Sequence, residues 1–424
     1  MNHSMPDTYA ADDDVHTRSE DLTVIILNDF CYVQGGASKV AIDDAIGLAA
    51  AGLRVIFIGA VGPVCAELGS APLKVVCLGQ PELLDVRTRP SILLQGLWNF
   101  EAGRCLSDEL ASLRPDRTVI HLHGYTKALT VSPVRAAKKL GFKVVCTLHD
   151  FFPACPNGAF FDYRRGEPCT RRALSSGCIT ANCDKRRYAH KIFRVARGVI
   201  QRGLGKFPGA VEQYIYLSCR SKEILAPYLP AQARLRGLEN AIDWPRPPKV
   251  EASGNQTILY VGRLDQEKGV LLLAQAAAEL GLKVLFVGDG PMRSKIENDM
   301  AMPVVGWVSR TEVRHYLASA RCLVFPSLWY ETYGLVVSEA SAHGIPVIAS
   351  NVTAAAERIE DNITGWLFRS GDMADLVRCL KFIENDTRVS EVGGAAYRAF
   401  WETATTATIH ADRLTSIYRS ILAG

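Results

Sequence analysis

The stretch CLVFPSLWYETYGLVVSEASAHGIPVIAS, residues 322–350, begins and ends in short apolar runs. Between them, Gly334 opens and Gly344 closes a predicted helix of about nine residues. Continuous apolar runs flanking a helix are typical of parallel strands that are covered on both faces. The stretch also holds two carboxylates, Glu331 and Glu339, in apolar surroundings, where an acid is costly unless a group pairs with it. It therefore predicts a parallel sheet and a candidate ligand site.

The same alternation of strand and helix runs along the rest of the chain. It predicts an α/β fold with two Rossmann-like, doubly wound parallel-sheet domains that face each other across a cleft. The predicted strands are residues 23–29, 54–59, 75–79, 119–124, 143–150 and 214–218 in the first half, and 257–262, 283–288, 322–327 and 345–350 in the second.

Composition sets the expected domain limits. Residues 1–21 hold six acids against one base and predict a flexible acidic tail. The N-terminal domain is expected over 22–243, with a basic, cysteine-rich insert at 151–206. A proline-rich linker is expected at 244–256, and a C-terminal domain that binds the nucleotide at 257–424, its last helix returning to the first domain.

The absence of an apolar run of eighteen residues argues against a membrane-spanning helix. No secretion signal is evident, so we expect a cytoplasmic protein with most of its twelve cysteines reduced. If the protein contacts a membrane, we expect that to be the inner face of the plasma membrane. The insert is the basic part of the chain: twelve bases and three acids lie between Asp162 and Lys206.

The segment YVGRLDQEKGV, residues 260–270, predicts an anion site. Arg263 and Lys268 follow a strand and precede a helix, which suits a diphosphate, although a lone pair of this kind is more often two solvated charges. Gly334 and Leu335 would offer free N–H groups at another helix start. Glu339 could accept hydrogen bonds from vicinal hydroxyls, and Glu331 would reach the other side of the anion.

Several motifs, taken in order, resemble the retaining GT-B glycosyltransferases of family 4. They are Glu-x7-Glu from Glu331 to Glu339, Gly-Arg-x4-Lys-Gly at 262–269 and VGDGP at 287–291, with QGGASKV at 34–40, TLHD at 147–150, LENAIDW at 238–244 and AAERIEDNITGWLF at 355–368. The resemblance covers most of residues 23–385.

The resemblance implies a role for each matching residue. Glu331 and His149 would be catalytic, Glu331 bracing positive charge on the transferred sugar. The donor would be bound by Arg263, Lys268, Glu339, Gly334, Leu335 and Gly36. Two departures are visible: Thr353–Ala355 replaces the usual glycine pair, and Ala37-Ser38 replaces the acid that often follows the glycine loop.

Three further features leave alternatives open. Cys155, Cys169, Cys178 and Cys183 suit either a structural zinc or four unlinked thiols. His121 and His123 lie two positions apart on one strand. Histidines in this arrangement are more often hydrogen-bonded at a strand end than bound to a metal, and no third ligand is evident. The helix within KRRYAHKIFRVARGVI, residues 185–200, has an apolar face that suits either the core or an anionic bilayer.

The expected function is transfer of a sugar from a UDP- or GDP-sugar to a glycan or lipid-linked saccharide, with retention, in cell-envelope or exopolysaccharide assembly. No cofactor is expected for catalysis, because neither predicted domain contains an Asp-x-Asp; nucleic acid is not an expected partner. The alternatives are a sugar-nucleotide epimerase or hydrolase of the same fold, and a non-catalytic glycan-binding scaffold. A nicotinamide enzyme fits least, because the glycine fingerprint is incomplete.

Overall fold

The computed structural model describes residues 22–83, 90–242 and 244–424. The predicted acidic tail, residues 1–21, lies outside the described residues, as does Asp243 beside the predicted linker. The described chain forms two α/β domains, each built on a parallel sheet.

The N-terminal domain holds a seven-stranded parallel sheet with the strand order β3-β2-β1-β4-β5-β8-β9, and a two-stranded antiparallel ribbon, β6-β7. Its strands are β1 Thr23–Phe30, β2 Arg54–Val61, β3 Lys74–Cys77, β4 Thr118–Leu122, β5 Lys143–Thr147, β6 Phe161–Asp162, β7 Glu167–Pro168, β8 Gln213–Tyr216 and β9 Arg234–Gly237. Its helices are α1 Gly36–Ala50, α2 Ala66–Ser70, α3 Pro90–Leu97, α4 Phe100–Leu110, α5 Ser132–Lys139, α6 Ser176–Thr180, α7 Tyr188–Gly203 and α8 Cys219–Leu225.

The C-terminal domain holds a six-stranded parallel sheet with the order β12-β11-β10-β13-β14-β15. Its strands are β10 Thr257–Val261, β11 Val284–Val287, β12 Val304–Gly306, β13 Ala320–Phe325, β14 Val347–Ser350 and β15 Gly365–Phe368. Its helices are α9 Val270–Glu279, α10 Arg310–Ala318, α11 Leu335–His343, α12 Met373–Phe382, α13 Asp386–Thr403 and α14 Ala407–Leu422.

The central strands are apolar because helices cover both faces of each sheet. Every residue of β1 and β13 is buried, which agrees with the continuous apolar runs in their sequences. All ten predicted strands are present. The structure adds β6, β7, β9, β12 and β15, which are short or lie toward a sheet edge, so their sequences carry a weaker apolar signal.

The last helix, α14, packs against α1 and β4 of the N-terminal domain. Leu414 and Tyr418 are buried there in one cluster with residues of β1 and α1. The chain therefore crosses between the domains twice, and its last helix contributes to the N-terminal core. In the part of the chain that the structure describes, no helix combines the length and apolarity needed to cross a membrane.

Candidate active site

The loop after β10 carries Arg263 and Lys268 to the carboxyl edge of the C-terminal sheet. A 3-10 turn, Gln266–Lys268, ends at Gly269, which has a φ of 68° and precedes α9. A Cβ atom at Gly269 would lie 2.0 Å from the carbonyl oxygen of Pro326, so this approach requires glycine. The glycine thus holds the lysine loop against the end of β13, where the Glu-x7-Glu segment begins.

Glu331 is buried, with 7% of its surface exposed, and it has partners. The Lys268 ammonium lies 2.6 Å from its Oε1 atom, and the Ser327 hydroxyl donates to the same oxygen at 2.7 Å. Its backbone has a φ of 51°, which is uncommon for a residue with a side chain and is typical of functional sites. The carboxylate is therefore fixed in position and charge-compensated.

Glu339 lies one turn into α11 and belongs to a different ion pair. Its Oε1 atom is 3.6 Å from Nε of Arg310, at the start of α10. Gly334 is the residue before α11, with a φ of 87°, and no side chain caps the N–H groups of the first turn. The helix start therefore presents its N–H groups and a positive dipole end beside Glu331.

Gly36 opens helix α1 on the opposite side of the cleft. A Cβ atom at Gly36 would lie 3.5 Å from Cδ1 of Leu335, so the two predicted donor-binding segments face each other directly. Two helix N-termini, one from each domain, therefore meet at the same place. This arrangement suits an anion bound between the domains.

The glycine-rich turn after β11 serves close packing of backbone. A Cβ atom at Gly288 would lie 1.9 Å from the carbonyl oxygen of Gly262, so the ends of β10 and β11 come together only because Gly288 has no side chain. Asp289 and Gly290 continue the turn beside the loop of Arg263, since Leu264 donates its N–H to the Asp289 carbonyl at 2.9 Å.

Arg263 lies in a cluster of alternating charge that spans both domains. Its guanidinium is 2.9 Å from Asp265, whose second oxygen is 2.6 Å from the ammonium of Lys185 in the insert. Lys185 also lies 3.3 Å from Glu267, which accepts a hydrogen bond from Tyr163 at 3.3 Å. Burial lowers the pKa of Arg263, but the neighbouring carboxylates outweigh it and leave that pKa raised.

His149, partly buried at the end of β5, begins a row of three imidazoles in which the other two, His123 and His121, are buried. The Nε2 atom of His149 is 2.9 Å from Nδ1 of His123, and Nε2 of His123 is 3.1 Å from Nδ1 of His121. Burial lowers the pKa of His149 to about 3, so this ring is neutral at neutral pH. Across the cleft, the Thr332 hydroxyl donates to the His149 carbonyl at 2.9 Å.

Glu357 joins the domains on another side of the cleft. Its carboxylate accepts hydrogen bonds from the backbone N–H groups of Cys219, at 2.9 Å, and Arg220, at the start of α8. At the segment that departs from the family pattern, the Ala354 N–H is already donated to the Tyr330 carbonyl at 2.7 Å. That N–H is therefore engaged within the protein.

Two of the four cysteines of the insert contact a buried lysine. Within the described chain, their sulfur atoms do not gather at metal-ligand distances of one another. Instead the ammonium of Lys191, fully buried, lies 3.2 Å from Sγ of Cys183 and 3.5 Å from Sγ of Cys178. All twelve cysteines are free thiols in the structure. A structural zinc at the four cysteines stays a prediction.

Helix α7 turns its apolar face outward. Lys191, Arg197 and Gln201 are buried, whereas Ile192 and Val199 are 44% and 60% exposed. Tyr188 and Ala196 are exposed on the same face, whereas Val195, between them, is buried. Of the two sequence interpretations, packing on the core holds for Val195 alone, and the rest of the face is exposed, because thiols of the insert and main-chain carbonyls contact the helix's polar side.

Comparisons with known proteins agree with this architecture. Residues 255–386 match the family model described as Glycosyl transferases group 1. The chain is 34% identical over 161 residues to sulfoquinovosyl transferase SQD2 of Arabidopsis thaliana, covering 35% of this chain and 31% of that protein. It is 30% identical over 207 residues to glycogen synthase of Mycobacterium tuberculosis, covering 44% and 50%. The chain thus spans half or less of these relatives' lengths.

Two solved structures match nearly the whole chain. Sucrose-phosphate synthase of Thermosynechococcus elongatus matches with a TM-score of 0.69 at 17% identity, covering 95% of this chain and 99% of that one. Anabaena HepE in complex with UDP and glucose matches with a TM-score of 0.65 at 15% identity, covering 94% and 100%. The fold is therefore that of the GT-B glycosyltransferases.

The sequence interpretation missed several residues that build the site. Ser327, Thr332 and Arg310 are ordinary surface residue types, and only their contacts with Glu331, His149 and Glu339 give them a role. Lys185 and Tyr163 were seen only as part of a basic insert, although they reach the Arg263 cluster. The basic excess beside the predicted cleft was the one available signal.

Proposed function

We propose that the chain is a retaining glycosyltransferase that uses a nucleotide-sugar donor. The observation that carries the proposal is the ion pair of partly buried Lys268 with Glu331, whose buried carboxylate is held by Ser327 shortly before the N-terminus of α11. Cations and helix N-termini suit a diphosphate, and a fixed carboxylate beside them suits a sugar that develops positive charge. The family match over 255–386 supports the same class of reaction.

Each residue has a part in this proposal. Arg263 and Lys268 counter the charge that grows on the leaving diphosphate. Glu339 binds the ribose hydroxyls, for which it exchanges its contact with Arg310. Glu331 stabilises the oxocarbenium-like sugar, and neutral His149 forms a hydrogen bond with a sugar hydroxyl from the opposite domain.

In the proposed step, the bond between the anomeric carbon and the phosphate oxygen breaks, and a bond to the acceptor oxygen forms on the same face of the sugar. The acceptor proton passes to the leaving phosphate oxygen. Lysine, arginine and helix dipoles supply the charge stabilisation at the leaving group, so catalysis is proposed to proceed without a metal ion. Closure of the cleft excludes water and limits donor hydrolysis.

The first test is calorimetric titration with UDP, GDP, ADP and dTDP. One nucleotide should bind, and Lys268→Ala should weaken it at least tenfold, about 1.4 kcal/mol. Lys283→Ala is the matched control. Lys283 precedes the first residue of β11, at the sheet edge opposite the candidate site, and its ammonium contacts the Ala301 carbonyl there. Folded protein that binds none of the four nucleotides would contradict the transferase proposal and favour a glycan-binding scaffold.

Retention needs its own measurement. Once a donor sugar is identified, proton NMR of the first product should show the anomeric configuration of the donor. An inverted product would exclude the same-face mechanism, while nucleotide release without transfer to any saccharide would favour the hydrolase alternative.

We further propose that the acceptor is a glycan or lipid-linked saccharide of envelope or exopolysaccharide assembly. The protein would bind this acceptor at the cytoplasmic face of a membrane. The outward apolar stripe of α7 has Arg186 and Arg187 at one end and Lys206 at the other, all exposed. Apolar side chains flanked by cations suit the headgroup region of an anionic bilayer.

Co-sedimentation with vesicles tests this contact. The protein should bind vesicles of phosphatidylglycerol more than vesicles of phosphatidylcholine, and the double change Ile192→Ser and Val199→Ser should reduce binding several-fold. Val305→Ser, which changes an exposed residue of the C-terminal domain, should not. Equal binding by the α7 variant would exclude this surface.

A further inference from the structure

A second cluster of chemically active side chains lies behind His149, in the N-terminal domain. Asp44 of α1 and His121 and His123 of β4 are buried, with 5%, 0% and 3% of their surfaces exposed. One ligand atom from each of these residues lies within 4.8 Å of the other two. Tyr418 of α14, also buried, reaches the same place with its hydroxyl group 2.7 Å from Nδ1 of His121.

The spacing of these atoms suits a small metal ion. Nε2 of His123 lies 3.1 Å from Nδ1 of His121 and 3.7 Å from Oδ2 of Asp44. Ligands in a tetrahedral zinc site, with bonds of about 2.0–2.1 Å, lie roughly 3.3–3.5 Å apart. These two separations fall on either side of that value, so shifts of a few tenths of an ångström bring them to it. The Tyr418 hydroxyl, 2.7 Å from Nδ1 of His121, would move away from that nitrogen by more than half an ångström.

The second ring nitrogen of each histidine and the second carboxylate oxygen of Asp44 each have a polar partner, as the corresponding atoms of metal ligands usually do. Nε2 of His121 lies 2.7 Å from the Thr147 hydroxyl, and Nδ1 of His123 lies 2.9 Å from Nε2 of His149. Oδ1 of Asp44 lies 3.0 Å from Nε2 of His410. Partners of this kind orient ligating side chains and fix their tautomers.

Hydrogen bonding alone leaves a conflict at Nδ1 of His121. This one nitrogen is near both the Tyr418 hydroxyl and Nε2 of His123. A neutral imidazole nitrogen has either one hydrogen or one lone pair, so it serves only one of two partners well. A shared cation would satisfy all of these atoms at once.

We propose that Asp44, His121 and His123, with Tyr418 as fourth ligand, form a structural site for a divalent transition metal, zinc being the best match. Nitrogen and oxygen ligands in fourfold number suit Zn²⁺, and the site would join α1, β4 and the returning helix α14. The metal would be bound as the chain folds, because the site is buried.

The proposal has a consequence for His149 that rests on the proposed function. A metal on Nε2 of His123 leaves the hydrogen on Nδ1, which then donates to Nε2 of His149. His149 in turn keeps its own hydrogen on Nδ1. The site would therefore set the tautomer of the imidazole that is proposed to contact the sugar.

Metal content is measured first, by mass spectrometry of untagged protein purified without chelator. About one equivalent of zinc is expected. Cys178→Ser and Cys183→Ser, combined, should retain it, because the proposed site contains no thiolate. Protein grown with cobalt should show visible absorption of a four-coordinate Co²⁺ ion without the near-ultraviolet charge-transfer band of thiolate ligands.

Ligand variants complete the test. Asp44→Asn and His123→Gln should lose the metal. If these fail to fold, His410→Gln alters only an outer partner and should weaken metal affinity about 10–100-fold. Wild-type protein with less than a tenth of an equivalent, or metal that disappears with the cysteine change, would overturn the proposal. Neither readout depends on nucleotide binding, so the two proposals fail separately.

Discussion

The two walls of the cleft are built by opposite means. The C-terminal wall uses charged groups from a single domain, with Lys268 and Glu331 on two loops and Glu339 on the helix that follows the second loop. The N-terminal wall uses neutral, buried imidazoles assembled from β4, β5 and the distant α14. The difference fits the proposed roles, in which the C-terminal domain would bind the donor anion and the N-terminal domain would orient the sugar.

The largest effect on the transfer rate should come from Glu331→Gln, which keeps the volume of the C-terminal carboxylate and removes its charge. The rate of transfer should fall at least a hundredfold, about 2.7 kcal/mol, because the sugar's positive charge loses its counterion. Steady-state kinetics measures this effect, with unfolding curves to confirm the fold. The matching change on the other wall, His149→Gln, should reduce the rate less. An equal or greater loss would contradict the proposal that charge stabilisation comes from the C-terminal domain.

Gly269→Ala should damage the donor loop without touching a charge. The new methyl group would meet the Pro326 carbonyl oxygen, so we expect a loss of about 3 kcal/mol in the free energy of unfolding, beyond the usual cost of alanine at positive φ.

Gly281→Ala is the control for this change. Gly281 has nearly the same φ, 67°, but open space around it, and its substitution should cost about 1–2 kcal/mol. Chemical denaturation of both variants measures the difference. Equal losses would mean that the loop does not need its close approach to β13.

Lys185→Met tests whether the N-terminal insert assists the C-terminal anion site. Without Lys185, Asp265 and Glu267 face the donor diphosphate with less compensation, so nucleotide affinity should fall about three- to tenfold, roughly 0.7–1.4 kcal/mol. Arg186→Met, an exposed neighbour, is the control. Calorimetry at two salt concentrations should show a smaller difference at high salt. Unchanged or tighter binding would place the insert outside the donor site.

The smallest effect should come from Thr332→Val, which removes the hydrogen bond between the two walls at the His149 carbonyl. The expected loss in unfolding free energy is about 0.5–1.5 kcal/mol. Thermal unfolding with and without the bound nucleotide measures it. A loss seen only in the nucleotide complex would show that this bond belongs to the closed form of the cleft.

Much of the fold follows from local patterns. The apolar runs of β1 and β13 and the glycines that end loops predict parallel strands, because backbone hydrogen bonding and burial on both faces demand them. The interaction of Lys268 with Glu331 is harder to predict. The two residues lie 63 positions apart, and only the Gly269 approach to Pro326 brings their loops together.

Other features escaped the sequence interpretation because they depend on packing between elements. The apolar stripe of α7 has the same periodicity whether it faces the core or solvent, and the buried Lys191 among thiols decides the orientation. His121 and His123 lacked a third partner in sequence, and Asp44 and Tyr418 reach them only because α1 and α14 pack beside β4.

The sequence by itself determined two parallel-sheet domains and the charged loops at the end of β10 and after β13, since these depend on periodicity, glycine and spacing within one segment. Only the tertiary structure decided which charges pair, which face of α7 meets solvent, and that the side chains of Asp44, His121, His123 and Tyr418 lie together. The physical reason is that pairing and burial depend on distance in space, which the chain sets through contacts between segments far apart in sequence.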